Sequence, residues 1–401
     1  MKICVTTASG IEAVTKREIY KITGIENLAA VDGRICFEGG FEDIAKCNLY
    51  LRTANRVEIV VGEFKAENFD ELFDGVKAVE WEKFIPEDGK IIISAKSVMS
   101  KLFAYSAIQS ISKKAVIERL KSAYKSINLP ESGARYKIET SIRKDYVIVS
   151  LDTSGEGLHR RGYRGLVGEA PLKETLASAL IQLSVWNPSR PLADVFCGTG
   201  TIPVEAALIA CNIPSGMNRD FDYLYWKNVD RSVFDKIKEK AAMEIDLEKE
   251  VRISGFDIDE NQLKLARKHA ELAGVGKKIH FQRADMRDFS SRFSHGVIIS
   301  NPPYGERFSE RREIEKLYKD YGKMVKTLDE WCVYTLTSVD DFERLFGRKA
   351  DKKRKIYNGR LECAYYSMLA EPPKKAEKTQ KAAESKKLTD SIGKIQEETK
   401  C

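Results

Sequence analysis

Between Leu192 and Thr337 five short apolar runs recur: Leu192 to Phe196, Arg252 to Asp257, Lys278 to Arg283, Gly296 to Ser300 and Trp331 to Thr337. Stretches with helical spacing divide each run from the next. A chain that alternates strand-length apolar runs with helices has few ways to bury both faces of its strands. The pattern predicts an α/β fold, a parallel sheet covered by helices on either side. In such sheets ligands bind beyond the carboxyl ends of the strands. The residues that close each run are therefore the ones to read for chemistry.

The first run opens into Asp194-Val195-Phe196-Cys197-Gly198-Thr199-Gly200 and then a helical pattern. Gly198 and Gly200 can take φ > 0 and let the backbone approach a ligand, and a helix start offers free N–H groups. A nucleotide-like cofactor is the natural occupant. A dinucleotide site would want Gly or Ala three residues after Gly200, but Pro203 stands there, which argues against a dehydrogenase. The second run ends in Asp257-Ile258, where a carboxylate can accept from two ribose hydroxyls. The third ends in Ala284-Asp285-Met286, where a carboxylate can meet an adenine amine. Either acid alone reads equally well as a helix cap or turn residue. With Asp194 they make three in order along one edge of the sheet. Cys197 sits inside the glycine turn facing the cofactor side, so a role as nucleophile is not expected.

The fourth run ends in Asn301-Pro302-Pro303-Tyr304-Gly305-Glu306-Arg307. An exocyclic base amine is a poor nucleophile because its lone pair is delocalised into the ring. Two acceptors aimed at its N–H hydrogens favour the pyramidal form as an electrophile approaches, and so act in the transition state. The side-chain oxygen of Asn301 and the carbonyl of Pro302 suit this, and the prolines hold both in extended backbone. Tyr304 reads as an exposed ring on which the base can stack. Glu306 and Arg307 read equally as RNA contacts or as local capping groups. This chemistry requires no metal.

The first half of the chain has a different grain. Residues 1–65 read as a small α+β unit of short strands and helices. Residues 66–153 read as a second unit: a strand (Lys90 to Ala95), a long helix (about Ala104 to Ile127) and an alternating strand from Tyr136 to Leu151. Residues 154–165, "SGEGLHRRGYRG", form a Gly-punctuated basic linker, residues 166–370 hold the α/β domain, and residues 371–401 are a charged tail without aromatics, expected to be disordered. From Lys90 to Asp145 there are twelve Lys/Arg against four acids, a net +8 in a chain of net +7. Such concentration is the footprint of a polyanion. On the long helix Lys114, Lys121 and Lys125 share a face, with Val116, Leu120 and Ala123 turned away. These lysines, with Lys101 and the linker's His159, Arg160, Arg161 and Arg164, are the candidate RNA contacts.

Eight cysteines are scattered without a C-x-x-C pair, and the four histidines fall near none of them at ligand spacing, so neither a zinc site nor a disulfide framework is expected. No apolar run is long enough to span a membrane, and the first residues lack the apolar core of a signal peptide. A cytoplasmic location is expected.

Taken together, Asp194 to Gly200, Asp257, Asp285 and "NPPY" resemble the class I S-adenosylmethionine-dependent methyltransferases that modify exocyclic amines. With "APLKETLASAL", "DVFCGTGTIPVEAA" and "NPPYGER" following "SKLFAYSAIQSISKKAVIERL" and "LHRRGYR", the chain is similar to the THUMP-domain RNA methyltransferases, in the branch of bacterial 23S rRNA guanine-N2 enzymes. The resemblance runs from Met1 to about Ala370. It implies a Rossmann-like class I methyltransferase domain preceded by α+β ferredoxin-like and THUMP domains. It further implies that Asp194, Cys197, Gly198, Thr199 and Gly200 surround the methionine portion of S-adenosyl-L-methionine, Asp257 and Ile258 the ribose, and Asp285 and Met286 the adenine. Pro171, Lys173, Glu174 and Thr175 would close that pocket. Asn301, Pro302 and Tyr304 would carry catalysis on a guanine of rRNA. The motif serves N6 of adenine in DNA or RNA as well as N2 of guanine, and tRNA is an alternative to rRNA. A reading of another class is an RNA-binding protein with a vestigial cofactor site.

Overall fold

Where the sequence suggests two small N-terminal units, the computed structural model, which describes residues 1–31, 33–164, 172–305 and 311–370, has one sheet. In chain order the first half runs β1 (Lys2–Thr7), α1 (Glu12–Thr23), β2 (Ala29–Val31), β3 (Arg34–Glu38), α2 (Phe41–Tyr50), β4 (Ala54–Lys65), α3 (Phe69–Ala78), β5 (Lys90–Val98), α4 (Tyr105–Tyr124), β6 (Arg135–Arg143) and β7 (Tyr146–Asp152). The strands lie in the order β2-β3-β1-β4-β7-β6-β5. Antiparallel pairing of β4 with β7, from Glu58↔Asp152 to Lys65↔Tyr146, fuses the two units.

The long alternating run expected from Tyr136 to Leu151 is two strands. Lys144 and Asp145 take φ of 50° and 63° and turn β6 into β7. A two-residue turn with positive φ is usually written with Asn or Gly, so Lys-Asp hid it. Helix α4 buries Ile108, Ala115, Val116 and Leu120 as its periodicity requires, but Ala123 is exposed rather than packed. Cys4 and Cys36, opposite each other on β1 and β3, are joined as a disulfide with Cα atoms 4.1 Å apart. The sequence suggested packed thiols here, because a separation of 32 residues carries no sign of strand pairing.

The second half runs α5 (Glu174–Leu183), β8 (Leu192–Asp194), α6 (Thr201–Ala210), α7 (Arg231–Met243), β9 (Ile253–Asp257), α8 (Glu260–Leu272), β10 (Ile279–Arg283), β11 (Val297–Ser300), α9 (Arg311–Val325), β12 (Cys332–Thr337), α10 (Phe342–Phe346), β13 (Lys352–Asn358) and β14 (Leu361–Met368). The order is β10-β9-β8-β11-β12-β14-β13. The first five strands are parallel, as the alternation predicted, and β14 and β13 add an antiparallel hairpin. The hairpin escaped the sequence reading because β13 opens Lys352-Lys353-Arg354-Lys355, a charged edge rather than an apolar run. The winding reverses between β8 and β11, where Leu192 pairs with Val297 and Ala193 with Ile298. The segments that leave these two strands emerge side by side, at the place where doubly wound sheets hold ligands.

The halves are not strung on a loose connector. Arg219 donates through both terminal nitrogens to the carbonyls of Ser154, Glu156, Gly157 and Arg160, clamping the expected linker. Trp226 stacks on Tyr136 at 5.1 Å between centroids, and Phe234 and Ala241 of α7 enter the N-terminal core. At the other end the loop after β1 docks on β13: Tyr357 N–H donates to the Ser9 carbonyl at 3.4 Å. Gly10 is required there, since it takes φ of 95° and a Cβ would lie 2.3 Å from the Lys355 carbonyl oxygen. No helix of the described residues is long and apolar enough to cross a membrane.

Candidate active site

The ends of β8 and β11 are pinned by a buried carboxyl. Asp194 Oδ1 accepts from the Ser300 hydroxyl at 2.8 Å and from the Phe196 N–H at 3.1 Å. Ser300 in turn accepts from the Val195 N–H at 3.1 Å. Burial lifts the Asp194 carboxyl to about 7, with Asp257 adding repulsion against the two donors that pull it down. Asp194, expected beside the methionine end of a cofactor, also ties the turn to β11 through Oδ1.

The turn itself is open on one side. Gly198 takes φ of 50°, and a Cβ there would meet nothing within 4 Å. Its N–H donates to Asp257 Oδ2 at 2.8 Å, and the other carboxylate oxygen of Asp257 accepts from the Asp259 N–H at 2.9 Å. Gly200 answers to packing, since a Cβ would come within 2.9 Å of Ala266 and 3.0 Å of Phe281. Thr199 is buried, with its carbonyl 3.1 Å from His269 Nδ1. The Cys197 thiol is buried and burial pushes its pKa well up, so it stays a thiol and not a nucleophile. Ile258 is exposed and Met286 buried. Asp285 caps the turn after β10 and takes both Nε and Nη2 of Arg287, at 2.9 and 2.6 Å. That hydrogen bonding holds its carboxyl down to about 2. Thr175 is buried and donates to Asn55 Oδ1 at 3.4 Å. Pro171 lies outside the described residues. The open side of Gly198, the N–H groups at the start of α6 and the anionic oxygens of Asp257 and Asp285 along one edge fit an adenosine-bearing cofactor.

Asn301 follows β11 and is half-buried. The Pro302 carbonyl accepts no hydrogen bond among the described residues, whereas that of Pro303 accepts from the Tyr318 hydroxyl at 3.0 Å. Tyr304 differs from its expected exposed state. Its ring is half-buried against the core, its hydroxyl donates to Asn301 Oδ1, and Cys363 Sγ stands 3.9 Å from that hydroxyl. The covering element is the β13–β14 hairpin, which the sequence reading lacked. Glu306, Arg307 and the expected tail lie outside the described residues.

The basic residues separate into two groups. Arg161 is buried, donating to the carbonyls of Leu158 and Arg52 and lying 3.5 Å from Glu205. Arg164 is held at 3.1 Å by Glu174, itself buried. Both brace the interior, contrary to the expected RNA contact. His159 and Arg160 are not so held, and all four line a cavity of about 850 Å³ together with Arg135, Lys173, Arg219 and Tyr225. Burial and the surrounding Lys173, Arg160, Arg161 and Arg56 hold His159 down to about 4, so it is neutral beside these cations. Sequence reasoning missed Arg135, Lys173, Arg219 and Tyr225 as neighbours of this surface, because they come from distant segments. About half of the +8 is offset from outside the stretch, where Lys101, Arg119, Arg135 and Lys137 pair with Glu67, Glu82, Asp222 and Asp152, while Lys96, Lys113 and Lys114 pair with acids of the stretch itself. Lys121 and Lys125 have no carboxylate partner among the described residues and remain available.

Comparison with known proteins adds three matches along the chain: residues 2–58 to the RlmL ferredoxin-like domain, 66–152 to the THUMP domain, and 161–367 to the RMKL-like methyltransferase domain. The chain is 44% identical over 380 residues to the Bacillus subtilis protein named "Putative RNA methyltransferase YpsC", covering 94% of this chain and 98% of that protein. It is 30% identical over 413 residues to the "Ribosomal RNA large subunit methyltransferase K/L" of Aliivibrio fischeri; the match takes in 98% of this chain but only 57% of that longer protein. Among solved structures it is similar to "SMU.472, a putative methyltransferase complexed with SAH", with a TM-score of 0.87 and 42% identity over 93% of this chain and 99% of that one.

Proposed function

The chain belongs to the RMKL-like methyltransferase family, and on that premise we propose that it methylates the exocyclic N2 amine of a guanine in structured RNA, with large-subunit rRNA as the substrate. The cofactor is S-adenosyl-L-methionine, which supplies an electrophilic methyl group when bound. Gly198, Asp257 and Asp285 hold it at the strand ends, while Thr175 and Asp194 support that pocket.

Asn301 and Pro302 act on the amine. Their oxygens accept its two N–H hydrogens, draw the nitrogen out of conjugation with the ring and stabilise the charge that develops as its lone pair is used. The methylated amine then gives up its proton to solvent water, since neither amide oxygen is basic enough to keep it. The base reaches Asn301 by displacing the Tyr304 hydroxyl, and the freed ring offers it a face. Lys101, Lys114, Lys121, Lys125, His159 and Arg160 engage the RNA backbone, with Arg161 and Arg164 bracing the surface beneath. The observation that carries this reading is the adjacency of Asn301 to the glycine turn across the β8–β11 switch.

The test is incubation of the full chain with labelled cofactor and rRNA or tRNA, followed by digestion to nucleosides. Labelled N2-methylguanine from rRNA is expected. Label only in tRNA overturns the rRNA assignment, label in N6-methyladenine overturns the guanine assignment, and SAH binding without any transfer overturns the enzymatic reading.

A further inference from the structure

A second cavity, of about 380 Å³, takes its walls from both halves of the chain. Ser9, from the loop after β1, and Asn55, at the start of β4, form one wall. Lys173 and Thr175, at the start of α5, and Tyr357 and Asn358, at the tip of the β13–β14 hairpin, form the other. Asn358 joins the cavity to the site described above, since its side chain reaches the Tyr304 phenol. The volume is in the range of small-ligand sites.

The polar groups here are unevenly committed. Asn55 Oδ1 is taken by the Thr175 hydroxyl at 3.4 Å, which orients the amide so that its NH2 is the free end. No acceptor engages Asn55 Nδ2 among the described residues, and Lys173 is exposed with no carboxylate partner among them. Two donors therefore remain on the wall of a cavity that Asn358 links to Tyr304. Guanine carries two acceptors, O6 and N7, on the edge away from its N2 amine. Adenine carries an N6 donor in place of O6.

We propose that this cavity receives the target guanine, with Asn55 and Lys173 donating to its O6 and N7, so that the N-terminal sheet takes part directly in choosing the base. The proposal rests on the guanine reading above and deepens it. Docking of Ser9 and Gly10 against β13 fixes the distance between the two walls, which a recognition site shared between domains requires.

The experiment compares the full chain with Asn55→Ala, Asn55→Asp and Lys173→Met, using rRNA extracted from cells lacking the protein and labelled cofactor. Each substitution is expected to lower kcat/KM for RNA at least tenfold while SAH affinity by calorimetry stays within twofold. Asn55→Asp, which turns a donor into an acceptor facing O6, is expected to lose more than Asn55→Ala. Values of kcat/KM within twofold of the parent for both Asn55→Ala and Lys173→Met overturn the proposal while leaving the guanine reading intact. Failure of the unsubstituted protein to form N2-methylguanine overturns that reading instead. If the Asn55 variants lose SAH binding through misfolding, the exposed Lys173→Met decides alone.

Discussion

The phenol of Tyr304 donates a hydrogen bond to Oδ1 of Asn301, three residues before it. The same oxygen is the acceptor assigned to the substrate amine, so the free protein keeps it satisfied with an internal donor. A buried acceptor left unmade would cost about 1–3 kcal/mol; the arrangement avoids that cost until a base arrives to take the tyrosine's place.

Replacing Asn301 removes an acceptor that matters only during transfer. Asn301→Ala is expected to lower kcat by about 100-fold to 1,000-fold with SAH affinity by calorimetry nearly unchanged. A large loss of SAH affinity with residual turnover would show the roles reversed.

The two roles of Tyr304 separate by substitution. Tyr304→Phe keeps the ring and loses the bond to Asn301, and is expected to hold kcat/KM for RNA within about fivefold. Tyr304→Ala loses the stacking face as well, worth about 1–3 kcal/mol, or about 5-fold to 150-fold in kcat/KM. Steady-state kinetics of the pair against one RNA distinguishes them, and equal losses would remove the stacking role.

Asp257 joins the glycine turn to β9 through Gly198. Asp257→Ala is expected to weaken SAH binding at least tenfold, read by calorimetry, because it removes both the ribose acceptor and the bond that sets the turn. Unchanged affinity would locate the cofactor elsewhere.

Basic residues that looked alike in sequence should respond differently. Lys121→Ala with Lys125→Ala is expected to leave thermal stability unchanged and to flatten the salt dependence of RNA binding, by about 0.7–0.9 in log–log slope for each phosphate no longer neutralised. Arg161→Ala strands the buried Glu205 beside it and is expected to destabilise the fold by about 3–5 kcal/mol in chemical denaturation. The opposite outcome, a stable Arg161 variant with weakened RNA binding, would return that side chain to the surface role.

The Asp194 carboxyl is raised from its ordinary value near 3.8 to about 7. The folded state therefore holds a proton that the unfolded chain releases, and this group's contribution to stability is present below about pH 4 and lost as the pH rises to about 7. Denaturation at several pH values is expected to show Asp194→Asn with a flatter decline than the parent across that window. An identical slope would mean that Asp194 is ionised in the folded protein.

The α/β half was legible because its signals are local. Five apolar runs with helices between them impose a parallel sheet, and chemistry gathers at strand ends, so Gly198, Asp257, Asp285 and Asn301 could be marked from spacing alone. What tertiary structure alone decided depends on partners far apart in the chain. Pairing of β4 with β7 joins the two expected units, which match separate ferredoxin-like and THUMP domains, through one sheet. The hairpin Lys352–Met368, too charged to read as strands, covered Tyr304. Burial sorted the basic residues, sending Arg161 to Glu205 and leaving His159 at the cavity wall. A sequence displays the valence of each side chain but not which neighbour satisfies it, because desolvation and pairing are set by surfaces that meet only on folding.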